Sequence, residues 1–419
     1  MIRKIFVGAL LGITVVGLAP STSLGAGASF ARSAGMGGAH IGLAEGVAAT
    51  FYNPANLGLS THQRNGIFLA GVGVNISNNS FTLSDYNKYT GSLLTSTDKQ
   101  DILNKIPVEG LVLNADAQAN AAGVSYGRFA VNFSGFAASE LNLGHELVDL
   151  FLNGNALNDT VSLDGMYGSG WSYGSADISF GTPLYTMANR QLTAGFTFRY
   201  LKGLYFADVT EITGQAATLI TGFQGDGVIR TRTAEGGSGY ALDLGMALQV
   251  NRDYTVGIKF ENFLSSTNWN QNPEEHGFIF NFDSVNIDNS SNDSVFVTSD
   301  YSRPTASFSE GLPSNVRIGI ANTTGKLLWA FDWEQGFKRA PGISAKPQFS
   351  LGAEYSLLSF LPVRAGVGAG GRYGSQITFG SGLRLPFMYL DVAMLTAGGG
   401  LDANNSKGAR FAASAGVNF

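Results

Sequence analysis

The chain of 419 residues has no cysteine, only 14% charged residues and four histidines. Without cysteine no disulfide staples the fold, so an exported chain of this length must close its structure by other means. Low charge sets it apart from the average soluble protein, which carries about 25%. Long hydrophobic runs are also missing, with one exception. Ile5 to Ala19 is apolar for 15 residues, behind Arg3 and Lys4. A spanning helix wants about 20 apolar residues, and this run is interrupted by Gly8, Gly12, Thr14 and Gly17. Ala26-Gly27-Ala28 then fits a cleavage site, with Ser23-Leu24-Gly25 a weaker alternative. Residues 1–28 therefore read as a cleaved export signal. Its removal lowers the basic count from 26 to 24 against 31 acidic residues, a net charge of −7. No basic excess is left to hold a nucleic acid, so that class of partner is excluded.

What the chain has in quantity is glycine, 56 residues, nearly twice the usual share of about 7%, and a persistent period of two. Tyr240, Leu242, Leu244, Met246, Leu248 and Val250 alternate with Ala241, Asp243, Gly245, Ala247 and Gln249. After Asn251-Arg252-Asp253 the pattern resumes in Tyr254, Val256, Ile258 and Phe260. This is a hairpin of two long strands. The same pattern predicts strands near 65–77, 115–126, 128–137, 173–183, 191–206, 238–250, 254–264, 314–322, 327–336, 347–357, 362–371, 374–385, 387–396 and 408–419.

Three features exclude a soluble sandwich. Many of these runs reach the 9 to 11 residues of a membrane-spanning strand, where strands of globular proteins cluster near five or six. The second face mixes Gly, Ala, Thr and isolated charges instead of a dense Lys/Glu cover. Most decisively, the connections alternate: 78–114, 138–172, 207–237 and 265–313 are long, and those between them are short. The predicted fold is all-β, a transmembrane antiparallel barrel of about 14 strands over residues 65–419, with both termini periplasmic. The charges on the second face, such as Asp243, Lys259, Glu261, Arg317, Asp332, Glu354 and Arg364, must then point inward, where mixed signs predict ion pairs that prop the barrel. Thr97-Asp98-Lys99-Gln100 starts a short helix ended by Pro107, and 146–151 a second. Phe278, Phe280 and Phe282 predict a strand pair projecting beyond the membrane, in an otherwise acidic segment that includes Asp288 and Asp293.

Motifs for chemistry fail on context. Gly170-Trp171-Ser172-Tyr173-Gly174 matches a nucleophile elbow, but an alternating strand follows where a helix is required. Gly366, Gly368 and Gly371 spell a dinucleotide fingerprint that is likewise followed by a strand. His40, His62, His145 and His276 have no ligand-spaced partners. No enzyme, cofactor or metal site is expected.

One stretch fits neither strand nor ordinary helix. Residues 29–64 include Arg32-Ser33-Ala34-Gly35-Met36-Gly37-Gly38-Ala39 and Tyr52-Asn53-Pro54-Ala55-Asn56-Leu57. This segment resembles the N-terminal plug, or hatch, of the outer-membrane long-chain fatty-acid transporter superfamily, which includes the FadL transporters and PorV-like proteins. The Asn-Pro-Ala of that plug matches at Asn53, Pro54 and Ala55. The Gly35, Met36, Gly37, Gly38 run is more like the PorV-type branch, and the loops resemble an uncharacterised branch. The C-terminal alternation of Phe411, Ala413, Ala415, Val417 and Phe419 resembles the strand recognised by the barrel-assembly machinery. The resemblance implies a 14-stranded barrel with the plug in its lumen, embedded in outer-membrane lipid as a monomer. It implies passive transport of hydrophobic molecules such as long-chain fatty acids; the alternative is an accessory barrel that docks secreted proteins or a secretion complex. For the first, Leu93, Leu94, Ile102, Leu103, Ile106, Leu147, Leu150 and Phe151 are the candidate capture surface.

Overall fold

A computed structural model of the chain describes residues 29–154, 156–285, 296–372, 374–400 and 402–419. The proposed export signal and the acidic Asp288–Asp293 stretch lie outside the described residues.

Nineteen strands belong to one sheet. Five of them pair only beyond the barrel ring or at its margin, which leaves fourteen: β1 Gly66–Asn78, β2 Leu111–Tyr126, β3 Phe129–Leu143, β4 Tyr167–Met187, β5 Arg190–Leu219, β6 Gly236–Gln249, β7 Tyr254–Gln271, β8 Asn315–Asn322, β9 Leu327–Gly336, β10 Gln348–Leu358, β11 Leu361–Gly370, β12 Gly374–Arg384, β13 Met388–Ala397 and β14 Gly408–Asn418. Each pairs antiparallel with the next, and β14 pairs with β1 from Gly66↔Asn418 to Ser77↔Gly408, closing the ring. Every predicted strand is present. The largest difference in length is β5, which runs to Leu219. Its second half, with sequence TEITGQAATL, has no consistent apolar face and so carries no period-two signal.

The pleat sorts the side chains. Outward positions form an exposed apolar belt that includes Val72, Phe133, Ile178, Phe198, Met246, Ile318, Leu351, Val367, Phe379 and Val392. Tyr126, Phe129, Tyr185, Tyr254, Phe360, Phe387 and Phe419 ring the rim that carries the short turns. Such a belt with an aromatic girdle is the surface of a barrel in lipid. Inward positions hold Asp177, Arg199, Asp243, Lys259, Glu261, Arg317, Asp332, Arg364 and Asp391, all buried. Closure supplies what the missing disulfides do not, because the ring has no edge and each of its fourteen strands has two partners.

At the opposite rim the sheet continues outward. The second half of β5 pairs with Gly222–Ala234, which pairs with Glu274–Val285, which pairs with Phe296–Pro304. The predicted projecting pair around Phe278–Phe282 is thus part of a larger sheet. Three helices accompany it: α1 Leu83–Tyr89, α2 Ser96–Lys105 and α3 His145–Asn153. Thr82 and Thr95 open the first two with capping boxes to Asp85 and Asp98. Neither is the expected box: α2 is capped by Thr95 with Asp98 in place of Thr97 with Gln100, and in both helices the acid is Asp and not the Glu or Gln of the usual pattern.

Candidate functional site: the plugged lumen

Residues 29–64 fold inside the barrel, toward the short-turn rim, as short helical turns tied to the wall. The backbone N–H of Gly37 donates to Thr378 Oγ1 at 2.9 Å, and that hydroxyl donates to the Gly35 carbonyl, also at 2.9 Å. Asp332 Oδ2 accepts from the N–H groups of His40 (2.6 Å) and Ile41 (2.9 Å). Lys259 Nζ donates to the Phe51 carbonyl, Thr197 Oγ1 to that of Thr50 and Thr193 Oγ1 to that of Ala55. The plug has little regular structure, so its buried backbone groups need partners, and the wall's inward side chains supply them.

Asn53 explains the Asn-Pro-Ala motif. Its Oδ1 caps the turn Pro54–Gly58 by accepting from Ala55 N at 3.1 Å, and its Nδ2 donates to the Met246 carbonyl of β6 at 3.0 Å. Pro54 sits first in that turn, where no amide hydrogen is needed. One side chain therefore caps the plug's turn and ties it to the wall.

The wall yields room at glycines. Strands β4 to β8 and β10 to β12 each present one inward glycine to the plug: Gly181, Gly195, Gly245, Gly257, Gly319, Gly352, Gly366 and Gly380. A Cβ at Gly195 would lie 2.5 Å from the Pro54 carbonyl carbon. Gly366, part of the apparent dinucleotide fingerprint, faces Met36 and Gly37 of the plug. Within the plug the glycines differ in purpose. Gly35 meets Gly380 Cα at a Cβ distance of 3.0 Å, but Gly38 has nothing within 4 Å and is required instead by its φ of +89°.

The inward charges pair in three groups. Lys259 Nζ lies 2.8 Å from Asp243, which also pairs with Arg199, and Arg317 bridges Glu261 (3.4 Å) and Glu334 (3.3 Å). On the opposite wall the plug's Arg32 forks onto Glu354 at 3.0 and 3.1 Å, and Arg364 joins Glu354 to Asp391. Nearer the long loops Arg372 reaches Asp116 and Glu140. Burial pushes the pKa of His62 in the plug down, and its Nε2 lies 3.0 Å from the Gly42 carbonyl, so a neutral ring donates there.

Above the plug a second segment enters the lumen. The β9–β10 connection bends inward, and Arg339 donates to Glu140 on β3 at 2.7 Å. Between this connection and the plug lies a cavity of about 50 Å³, walled by Phe51, Phe136, Trp171, Leu312 and Ile343, with Arg199, Glu261 and Asn262 also lining it. Beside it, a polar cavity of about 80 Å³ is lined by Arg317, Asp332, Lys346, Arg372 and Arg410. From the first cavity an aromatic track crosses the plug: Phe51 to Phe30 at 5.3 Å, then Phe30 to Phe68 of β1 at 4.6 Å between ring centres. Behind Phe68 the β1–β2 ladder keeps one register from Phe68↔Gly123 to Gly71↔Asn120, but Leu69 and Ala70 are not paired with Ala122 and Ala121 between them.

The candidate capture residues are divided. Ile102, Leu103, Ile106 and Leu147 are buried. Leu147 and Leu150 pack with Met166, Ile229, Phe280 and Phe282 under the projecting sheet. Leu94 is half-buried, and Leu93 and Phe151 are exposed. The helices that carry most of the eight, α2 and α3, lie against each other, and Leu93 stays exposed outside them. The cavity residues Phe136, Trp171, Leu312 and Ile343 escape sequence reading, although Trp171 and Phe136 sit at inward positions where small or polar residues prevail. Gly170–Gly174 lies inside β4, without the turn of a nucleophile elbow. Phe411 and Phe419 are exposed at the last strand and its end, with Val417 half-buried beside them.

Residues 54–227 match a model described as a family of unknown function (DUF5723). No curated protein matches the chain in sequence. Among solved structures it is similar to the toluene transporter TodX of Pseudomonas putida, with 11% identity and a TM-score of 0.54 over 95% of this chain and 99% of that one. It is similar to a Pseudomonas aeruginosa FadL homologue, with 12% identity and a TM-score of 0.51 over 96% and 99%. A third is the toluene transporter TbuX of Ralstonia pickettii, with 14% identity and a TM-score of 0.50 over 95% and 98%. At these identities what the chain shares with them is the fold: a closed 14-stranded barrel.

Proposed function

We propose that the chain is a passive outer-membrane channel for small hydrophobic molecules, long-chain fatty acids among the candidates, with both termini in the periplasm. The observation that carries this reading is the aromatic track. In a lumen rich in paired charges lies a cavity with aromatic and aliphatic walls, and Phe51, Phe30 and Phe68 lead from it to an interruption in the wall pairing. Buried charges repel an apolar solute, and aromatic walls accept it. Arg199 Nε, buried beside the cavity, has no hydrogen-bond partner among the described residues and is free to meet a polar end of a ligand. The three transporters of like fold are named for toluene and for a FadL homologue, which supports the same class of solute.

The test is uptake by vesicles with and without the protein, of a labelled long-chain fatty acid and of toluene in parallel. Faster entry of either is expected, and Ile343→Arg, which places a charge in that cavity, should slow it. Equal entry with and without protein overturns the proposal. A second reading, an accessory barrel that docks a secreted protein, draws on the projecting sheet, whose last strand Phe296–Pro304 pairs among the described residues on one side only, with Glu274–Val285. A free edge accepts a partner strand. A co-purifying exported protein together with no uptake would favour it.

A further inference from the structure

A large cavity lies outside the lumen. It lies on the outer face of the wall near the long-loop rim, about 770 Å³ in volume, beneath α1. Ile76 of β1, Leu113 of β2, Met394 of β13 and Phe411 of β14 form its floor, and Leu83 and Tyr86 of α1 its roof. These floor residues are outward-facing and exposed, as are Leu83 and Tyr86. They continue the apolar belt along the same strands and the same face, for example from Ile76 to Val74 and Val72 of β1.

We infer that this groove binds one acyl chain of a membrane lipid, held between α1 and the wall. The roof is fixed without help from the groove. Thr82 and Asp85 cap α1 reciprocally, Lys105 of α2 pairs with Asp85, and Leu83 N donates to the Ser406 carbonyl at 3.0 Å. The helix therefore stands over apolar wall and leaves a space that its own side chains do not fill. An apolar groove of this size is unfavourable for water and, at a lipid boundary, unfavourable if left empty. Its volume falls in the range of small-molecule sites. Continuity with the lipid-facing belt selects the occupant: hydrocarbon reaches the groove from the bilayer without crossing water. Lys407 also lines the groove, with one of its three donors used on the Asn79 carbonyl at 3.0 Å; among the described residues the other two have no partner and can meet an oxygen-rich lipid head.

The test uses the full chain in phosphatidylcholine vesicles doped with a phosphatidylcholine bearing a diazirine in mid-chain. After photolysis, lipid adducts are mapped to peptides. Adducts should concentrate on residues 76–86 and 394–411 above the level found on the open belt around Phe133 and Ile178. The double substitution Leu83→Asp/Tyr86→Asp, placed on the helix roof, should lower them roughly tenfold, as expected when two apolar contacts are lost, and leave the belt adducts unchanged. Heat-modifiable gel migration checks that the barrel is intact. If the double variant does not fold, Tyr86→Trp serves instead: the fluorescence it adds to that of the unsubstituted chain should be quenched when the vesicles carry brominated acyl chains. Groove adducts no denser than belt adducts, adducts indifferent to the double substitution, or an added indole fluorescence that brominated chains do not quench would each overturn the inference. Because the readout involves no transport, it stands or falls apart from the channel reading.

Discussion

The two ends of the molecule are held together by different physics. At the short-turn end, plug and wall meet backbone to backbone. Glycines remove the wall's side chains, hydroxyls and carboxylates bind the plug's amides, and buried ion pairs reach across. At the long-loop end, contact is between side chains: Leu147, Leu163, Met166, Ile229, Phe280 and Phe282 form an apolar cluster, and outside it pairs such as Arg303 with Glu275 reach solvent through the arginine. The first kind of contact tolerates almost no change in shape, whereas apolar clusters accept volume-conserving substitution. Specificity for a solute is therefore expected to vary through the long-loop end, with the plug as a fixed floor. Substitutions at the two ends should separate accordingly.

The largest effect is expected at Lys259. Lys259→Met leaves Asp243 and Glu261 buried with one partner fewer each and frees the Phe51 carbonyl. Breaking a buried pair costs about 3–5 kcal/mol. Arg199 and Arg317 remain beside the two carboxylates, which places the expected loss near about 3 kcal/mol in urea unfolding from vesicles. A loss under about 1 kcal/mol, as for an exposed pair, would mean that the lumen charges do not prop the barrel.

Next comes Gly195→Val on the wall. Its Cβ would collide with Pro54, so either the barrel strains or the plug shifts, at about 1–3 kcal/mol. Hydrogen exchange should rise in residues 49–58 and not in α3. Gly174→Val, at a β4 glycine with nothing within 4 Å, is the matched control and should be silent in the plug.

Asn53→Ala removes the cap on Pro54–Gly58 and the tie to Met246. A lost cap costs about 0.5–2 kcal/mol. Asn53→Asp keeps the cap acceptor but cannot donate to the Met246 carbonyl. It should therefore recover only the part due to the cap, and full recovery would remove the wall tie from the account of this motif.

These contrasts also explain what the sequence makes visible. Barrel strands are legible because lipid and lumen impose opposite demands on alternate residues, as in Tyr240 to Val250. The plug is legible because Gly35, Gly37, Gly38 and Pro54 are costly in a strand. The wall glycines are visible but mute: Gly195 or Gly245 reads as a small lumen residue until its plug partner is known. The second half of β5 is hidden because only Ile212 and Ala216 of its outer run pack under the projecting sheet, too few apolar residues to mark a period of two. Cavity and groove are hidden for another reason. Phe136, Trp171 and Leu312 come from β3, β4 and the segment before β8, and only closure of the ring brings them together.

The smallest effect is expected at the long-loop end, in α1, and it depends on pH. Asp85 is buried, which alone would raise its pKa, but hydrogen bonds from Lys105 and Thr82 outweigh this and the pKa is lowered. A carboxylate with a lower pKa folded than unfolded stabilises fully above its unfolded value of about 3.9 and loses that contribution as pH falls through the folded value. A spin label at Asn87→Cys should stay immobile from neutral pH to about 4 and loosen below it. Asp85→Asn keeps an acceptor for the cap but gives up the charge that holds Lys105, so it should abolish the acid transition and leave the label partly mobile at all pH. Because the Lys105 partner is exposed, the stability at stake is that of a surface pair, about 0.2–1 kcal/mol. No change is expected in hydrogen exchange of the plug over the same range down to about pH 4. A plug that loosened together with α1 would mean that the two ends, built on different contacts, are nonetheless coupled.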